Sequence, residues 1–159
     1  MNTEIIEYNT ALQPYYEQLN IDWLQEFFAV EEADKWMLEN PKEAILNNGG
    51  HILFAKRGHE IVGTVALKFS APGVYELAKM TVAKTARGFG LGRVLCEAAI
   101  QKAKQLGATK VILYTNSKLQ DAIHIYGKLG FEQIPVDKLE FVRIDTMMQL
   151  TLNTYHEQA

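Results

Sequence analysis

Residues Tyr75–Leu95 read YELAKMTVAKTARGFGLGRVL, and the reading of this stretch decides the fold. Tyr75–Val82 is a strand, Ala83–Ala86 a short turn, and Gly88, Gly90 and Gly92 alternate into the start of a helix. The first turn of a helix leaves backbone N–H groups without partners and carries partial positive charge, so an anion can sit there when no side chain blocks its approach. The three glycines remove the side chains. The order therefore describes a device for holding phosphate; the plainer alternative is a flexible glycine-rich turn.

Upstream of the loop, His51–Lys56 and Glu60–Phe69 are apolar, β-branched runs parted by Arg57, Gly58 and His59, which predicts a hairpin. Ser70–Gly73 then turns into the run Val74–Val82, and strands joined so tightly are expected to be antiparallel. Nearer the start, Ile5–Tyr8 is a strand and Pro14–Phe28 a helix with Tyr15, Leu19, Trp23 and Phe27 on one face. Glu31–Leu38 and Lys42–Leu46 are further helices, the last stopped by Asn47–Gly50.

Downstream, Leu91–Leu106 is a helix whose apolar face is Leu91, Val94, Leu95, Ala98, Ala99 and Leu106, and Lys110–Thr115 is a buried strand. Ser117 and Gln120 form a capping box that starts a helix near Lys118; its stripe is Leu119, Ala122, Ile123, Tyr126 and Leu129, and Gly130 ends it. Phe131–Ile134 and Phe141–Leu150 are the last strands, joined through Pro135–Lys138. This order predicts an α/β fold with a mixed, mostly antiparallel central sheet flanked by helices.

The 159 residues, 48% of them apolar, suit one core, so the whole chain is expected to be a single domain. A net charge of −3 supplies no field for nucleic acid or an anionic membrane, and neither is expected as a partner. The single cysteine, Cys96, excludes an intramolecular disulfide and fits a reducing cytoplasm, where the protein is expected. No apolar run approaches membrane-spanning length, and the first residues lack a basic segment leading into an apolar one. His51, His59, His124 and His156 show no metal-ligand spacing, so no metal is expected.

Three phosphate-binding designs compete for the glycine loop. A nucleoside-triphosphate loop places Lys and then Ser or Thr after its last glycine, where this chain has Arg93 and Val94. A dinucleotide fingerprint spaces its third glycine one residue later and adds an acidic residue about twenty positions on, but here the next strand ends in Tyr114, Thr115 and Asn116. The surviving match is Arg-x-x-Gly-x-Gly, filled by Arg87, Gly90 and Gly92. Beyond it stand Asn116 and a segment running from Ala122 through Tyr126 to Leu129, Gly130 and Phe131. Together these resemble motifs A and B of the GNAT superfamily of acetyl-CoA-dependent N-acetyltransferases, over about half the chain, His51 to Phe131.

The resemblance implies acetyl-CoA as cofactor, with coenzyme A as product. It implies that the strand before the glycine loop parts from a parallel neighbour at a bulge, where backbone groups of Met80, Thr81 and Val82 bind the pantetheine arm. The amides of Arg87, Gly88, Phe89, Gly90, Leu91, Gly92 and Arg93 would hold the pyrophosphate, with the Arg87 and Arg93 side chains adding charge-assisted contacts. Asn116 and Lys128 would be further cofactor contacts, although Asn116 equally suits a helix-entry turn and Lys128 a solvated face. Tyr126 corresponds to a tyrosine beside the thioester sulfur that can protonate the departing thiolate; the alternative is a core tyrosine bonded to a backbone carbonyl. Cys96 falls off the apolar face of its helix as a small half-buried residue, which leaves a covalent acetyl-cysteine route without support.

Glu76 alternates with Val74, Ala78, Met80 and Val82 and so projects into an apolar row, unless the bulge resets the phase. Desolvation there would tune it as the base for an ammonium substrate, and the competing reading is an ion pair with Lys68 or Arg143. The expected reaction is direct attack of a primary amine, on a small molecule or peptide, upon the thioester. A non-catalytic acyl-CoA-binding module of the same fold is the alternative. Relatives of this kind often dimerise, and a homodimer is expected on that ground alone. Trp23, Phe27, Phe28 and Trp36, with Glu31, Glu32 and Asp34, outline an apolar pocket with an acidic rim for a cationic amine, a pattern that amphipathic helices also produce.

Overall fold

The computed structural model describes residues 2–135 and 143–152. In chain order its elements are β1 (Thr3–Glu7), α1 (Gln13–Phe27), α2 (Glu32–Glu39), α3 (Pro41–Ala44), β2 (His51–Arg57), β3 (Glu60–Ala71), β4 (Val74–Val82), α4 (Leu91–Gln105), β5 (Lys110–Thr115), α5 (Gln120–Lys128), β6 (Glu132–Ile134) and β7 (Thr146–Thr151), with short 3₁₀ turns between. The strands form one sheet in the order β1-β2-β3-β4-β5-β7-β6. Neighbours are antiparallel except β4 and β5, which α4 joins as a crossover, the connection that a parallel pair requires.

Helices cover both faces of this sheet, so its central strands are apolar on both sides and read as continuous runs. Ile52, Phe54 and Ala66 point to the α1–α3 layer, where they meet Tyr16, Leu24, Leu38 and Ile45. Leu53, Ala55, Val65 and Leu67 point the other way, onto Leu91, Leu95 and Ala99 of α4 and Tyr126 of α5. Phe54 and Leu95 are wholly buried, and each such side chain contributes on the order of 1.5–3 kcal/mol.

Three helical faces differ from the sequence expectation. In α1 the buried positions are Tyr16, Leu19, Asn20 and Leu24, while Tyr15 is 49% exposed. A strict spacing of four drifts round a 3.6-residue helix, so the stripe starts off the buried face at Tyr15, meets it at Leu19 and is half-buried at Trp23 and Phe27. In α4, Val94 and Leu106 are exposed and Cys96 is fully buried, because the helix packs against both the sheet and α5 and so hides two flanks. The third is α5, which starts at Gln120 instead of Lys118. Ser117 caps nothing: its hydroxyl donates to Asp145 Oδ2 at 2.6 Å and its amide to Asp145 Oδ1 at 2.8 Å, tying the turn to the residue that leads into β7. The start expected for that last strand, Phe141, and most of the turn before it lie outside the described residues.

Candidate active site

β4 and β5 pair over only three positions, Val74 with Lys110, Tyr75 with Val111 and Glu76 with Ile112. β4 then continues to Val82 and β5 to Thr115 with no ladder between them, so a wedge opens whose β4 side is the edge from Leu77 to Val82. A bulge marks the parting. The register against β3 slips between Thr64 and Ala66, and Lys79 takes φ +56°, the one positive φ outside glycine among the described residues. For an L-residue that conformation costs about 1–2 kcal/mol.

The bulge resets the alternation of side chains. Tyr75 and Leu77 face α4 and α5 before it, and Met80 and Val82 face them after it. Thr81 points to the opposite layer, where its hydroxyl donates to the Leu19 carbonyl at 3.3 Å. Glu76 therefore does not share a row with Met80 and Val82. It lies on the α1–α2 side, opposite Lys68 across the strand pair, and forms no ion pair within 4 Å among the described residues. Burial raises its carboxyl above the ordinary value, against the pull of Lys68 and Lys79.

Past the wedge, the chain turns through a loop in which Gly88 has φ +90° and Gly90 φ +76°, and a Cβ on either would meet nothing within 4 Å. The space over these two residues is open, and the left-handed backbone there is one that glycine adopts without strain. Gly90 caps α4 with no side-chain bond, and the amides of Gly88 through Arg93 have no hydrogen-bond partner among the described residues. Gly92 serves packing instead: a Cβ there would stand 3.4 Å from Ile125 Cδ1 and 3.6 Å from the Met80 sulfur.

Side chains around the loop are already engaged. Arg87 gives a two-pronged hydrogen bond to Glu26 of α1, at 2.9 and 2.8 Å, and its Nε donates to the Val82 carbonyl at 3.3 Å. Arg87 thereby holds the Glu26 carboxyl below the ordinary carboxylate range. Arg93 pairs with Glu97 at 3.1 Å. Both arginines, expected to face a diphosphate, are held by carboxylates in this structure. The Asn116 side chain donates to the Arg143 carbonyl at 3.1 Å and accepts from the Lys118 amide at 2.9 Å, which is the helix-entry role. Lys128 is exposed in the last turn of α5.

Tyr126 is buried on the α4 side of the wedge, its ring edge-on to Phe131 with centroids 5.9 Å apart. Burial, with the Cys96 thiol beside it, pushes its phenol well above the ordinary value, so the hydroxyl stays protonated. On the other side of the sheet an open groove of about 540 Å³ runs between α1 and the end of β4, lined by Leu19, Trp23 and Glu26 and by Thr81, Val82 and Arg87.

The acidic rim expected around Trp23, Phe27, Phe28 and Trp36 is met by a cation at Glu31 and Asp34. Arg143 donates to Asp34 at 2.8 Å and lies 3.9 Å from Glu31. Burial works to raise Asp34, but hydrogen bonds from Arg143 and the Glu31 amide outweigh it and keep the carboxyl low. Trp23, Phe27 and Phe28 cluster with centroids 5.3 and 5.6 Å apart, and the Lys118 ammonium sits 4.0 Å over Phe28 while donating to the Phe27 carbonyl at 2.9 Å. Trp36 is 53% exposed and apart from this cluster. Reasoning from sequence missed Glu26, Lys79 and the Asp34–Arg143 pair, all of which depend on contacts distant along the chain or on the bulge.

Residues 15–131 match the family model described as Acetyltransferase (GNAT) family. The chain belongs to that family. The uncharacterized N-acetyltransferase YjgM of Escherichia coli (strain K12) is 30% identical over 115 residues, 72% of this chain and 60% of that one, so the match spans less than two thirds of that relative. A GNAT-family acetyltransferase from Staphylococcus aureus Mu50 superposes with a TM-score of 0.84 at 25% identity, covering 96% of this chain and 100% of that one. The structure of yncA from Salmonella typhimurium, solved with its cofactor acetyl-CoA, has a TM-score of 0.72 at 22% identity over 96% and 95% of the two chains, and shows the shared fold. GNAT proteins as a family are acetyl-CoA-dependent acyltransferases.

Proposed function

We propose that this GNAT protein transfers an acetyl group from acetyl-CoA to a primary amine by direct attack of the amine on the thioester. The observation that carries the proposal is two neighbouring sets of backbone groups left without ladder or helix partners: the β4 edge beyond Glu76, where β5 no longer pairs and only the Val82 carbonyl is taken up, by Arg87, and the amides from Gly88 to Arg93. The second set and the open space over Gly88 and Gly90 fit a diphosphate; the first fits an extended amide-bearing arm. Bound acetyl-CoA supplies the activated acetyl thioester.

Met80, Thr81 and Val82 are the residues whose backbone would hold the arm, and an N–H of this edge would serve as donor to the thioester oxygen. Glu76, raised by burial, is the group on the acceptor side that takes the ammonium proton, directly or through water. Tyr126, buried in the α4-side core, is the residue that would offer its hydroxyl to the sulfur of bound acetyl-CoA. A phenol raised above its ordinary value is a weaker acid than a thiol, so the stabilisation comes from a hydrogen bond to developing charge, and full proton transfer is uphill. Asn116 shapes the turn into α5, and Lys128, exposed in the last turn of that helix, is available to a phosphate of the cofactor. The acceptor approaches from the α1–α2 face, along the groove beside Trp23.

The test is release of free thiol from acetyl-CoA across a panel of amines, together with calorimetry of coenzyme A binding. Thiol release that depends on an amine, with a matching mass increase on that amine, is the expected result. Binding of coenzyme A with no release from any acceptor would instead describe an acyl-CoA sensor of the same fold.

A further inference from the structure

Arg57, the last residue of β2, is a cation beside the glycine loop that the reaction as derived does not use. The β2–β3 hairpin turns at the end of the sheet where β4 stops, since Arg57 pairs with Glu60 and Gly63 of the same strand pairs with Val82. There the guanidinium carbon of Arg57 lies over the Phe89 ring, 4.0 Å from its centre. Phe89 stands between Gly88 and Gly90, the two loop residues with open space above them, and is itself 61% exposed. So exposed a ring contributes little to the core, and its partner is the guanidinium. Arg57 is half-buried and forms no ion pair within 4 Å among the described residues, not even with Glu60, which faces it across the hairpin.

The ring fixes the guanidinium in place without taking up its hydrogen-bonding groups. Its N–H donors stay available, in a planar fork that matches the oxygens of a phosphate. The other cations of the loop are committed elsewhere: Arg87 is held by Glu26, Arg93 by Glu97, and Lys84 lines the groove on the α1 side. Coenzyme A brings more charge to the loop than its diphosphate, because the ribose joined to that diphosphate carries a further phosphate at its 3′ position. The amides from Gly88 to Arg93 suit the diphosphate, and the 3′-phosphate calls for a cation close to the loop but outside it. We propose that Arg57, carried on Phe89, binds the 3′-phosphate of coenzyme A and makes the protein select the cofactor over forms that lack this group. This rests on the acetyl-CoA reading of the site and adds to it the residue that recognises the nucleotide end.

The experiment is calorimetry on the full chain with two ligands, coenzyme A and 3′-dephospho-coenzyme A. The unaltered protein is expected to bind coenzyme A about 30-fold more tightly. In Arg57→Met, affinity for coenzyme A falls about tenfold while that for the dephospho form stays within about twofold, so the preference nearly closes. Arg57→Lys keeps the charge and loses the fork, and a preference of about tenfold remains. Phe89→Leu removes the ring that carries the guanidinium, and the preference falls about threefold. Arg57→Gln gives the same reading as Arg57→Met if the methionine variant folds poorly. Equal affinity of the unaltered protein for the two ligands overturns this proposal alone. So does a substitution of Arg57 that weakens both ligands alike, which is the mark of a structural prop, or one that leaves the preference whole. No binding of coenzyme A, or binding that Gly90→Val leaves unchanged, overturns the cofactor reading and this proposal with it.

Discussion

The two sides of the wedge are built from different material. The proposed cofactor side is main chain: the β4 edge beyond its ladder to β5, the glycine loop and the first turn of α4, with the arginines beside it turned to Glu26 and Glu97. The proposed acceptor side is made of side chains, with Glu76, Lys68, Arg143 and the Trp23–Phe28 cluster coming from β4, β3, the segment before β7 and α1. A backbone site needs only that certain side chains be absent, and it tolerates change at most other positions. A side-chain site needs particular groups present at particular distances. The first can therefore stay constant while the second is rebuilt for another acceptor.

Substitutions can break this contrast, and the largest effect belongs to the backbone side. Gly90→Val puts a branched side chain into the open space over the loop and strains the left-handed backbone. With two or more charge-assisted bonds lost, coenzyme A affinity by calorimetry should fall about 1,000-fold, whereas an affinity within a few-fold of the original would refute the cradle.

Glu76→Gln comes next, with an expected fall of about 100-fold in kcat/KM and little change in coenzyme A affinity. The proton acceptor must be ionised, and Glu76 titrates above the ordinary 4.5, so activity drops as pH falls through that raised value. The acid limb of the profile should disappear in the variant; a limb that persists assigns the base elsewhere. Tyr126→Phe removes one hydrogen bond to developing charge, and kcat should drop about 30-fold at unchanged coenzyme A affinity. The smallest effect is expected for Glu26→Gln. It releases Arg87 from its carboxylate partner, and the freed guanidinium should tighten coenzyme A by about threefold at low salt, an advantage that fades as salt rises.

Sequence legibility follows the same divide. The glycines, the hairpins and the strand–loop–helix order are local, and Val74–Val82, Lys110–Thr115 and the start of α4 at Leu91 stand where the pattern puts them. The parity of β4 was not legible, because a lysine and no glycine sits at its bulge and nothing local marks the slip. Ser117 three residues before Gln120 reads as a cap, yet its hydroxyl belongs to Asp145, 28 positions away. The acidic rim reads as a site for cations until Arg143 folds onto Asp34, a pair 109 positions apart. The last two misses arise where a long-range partner displaced the short-range one.

Cys96, sealed beneath Tyr126 with its thiol pushed up to about 12, bears on the bench work these tests require. Disulfide and maleimide dyes react with thiolate, and the native protein offers almost none at neutral pH. Colour in a turnover assay therefore counts liberated coenzyme alone. The same dye, applied without acetyl-CoA, becomes a one-residue reporter of unfolding, silent until the interface between α4 and α5 comes apart.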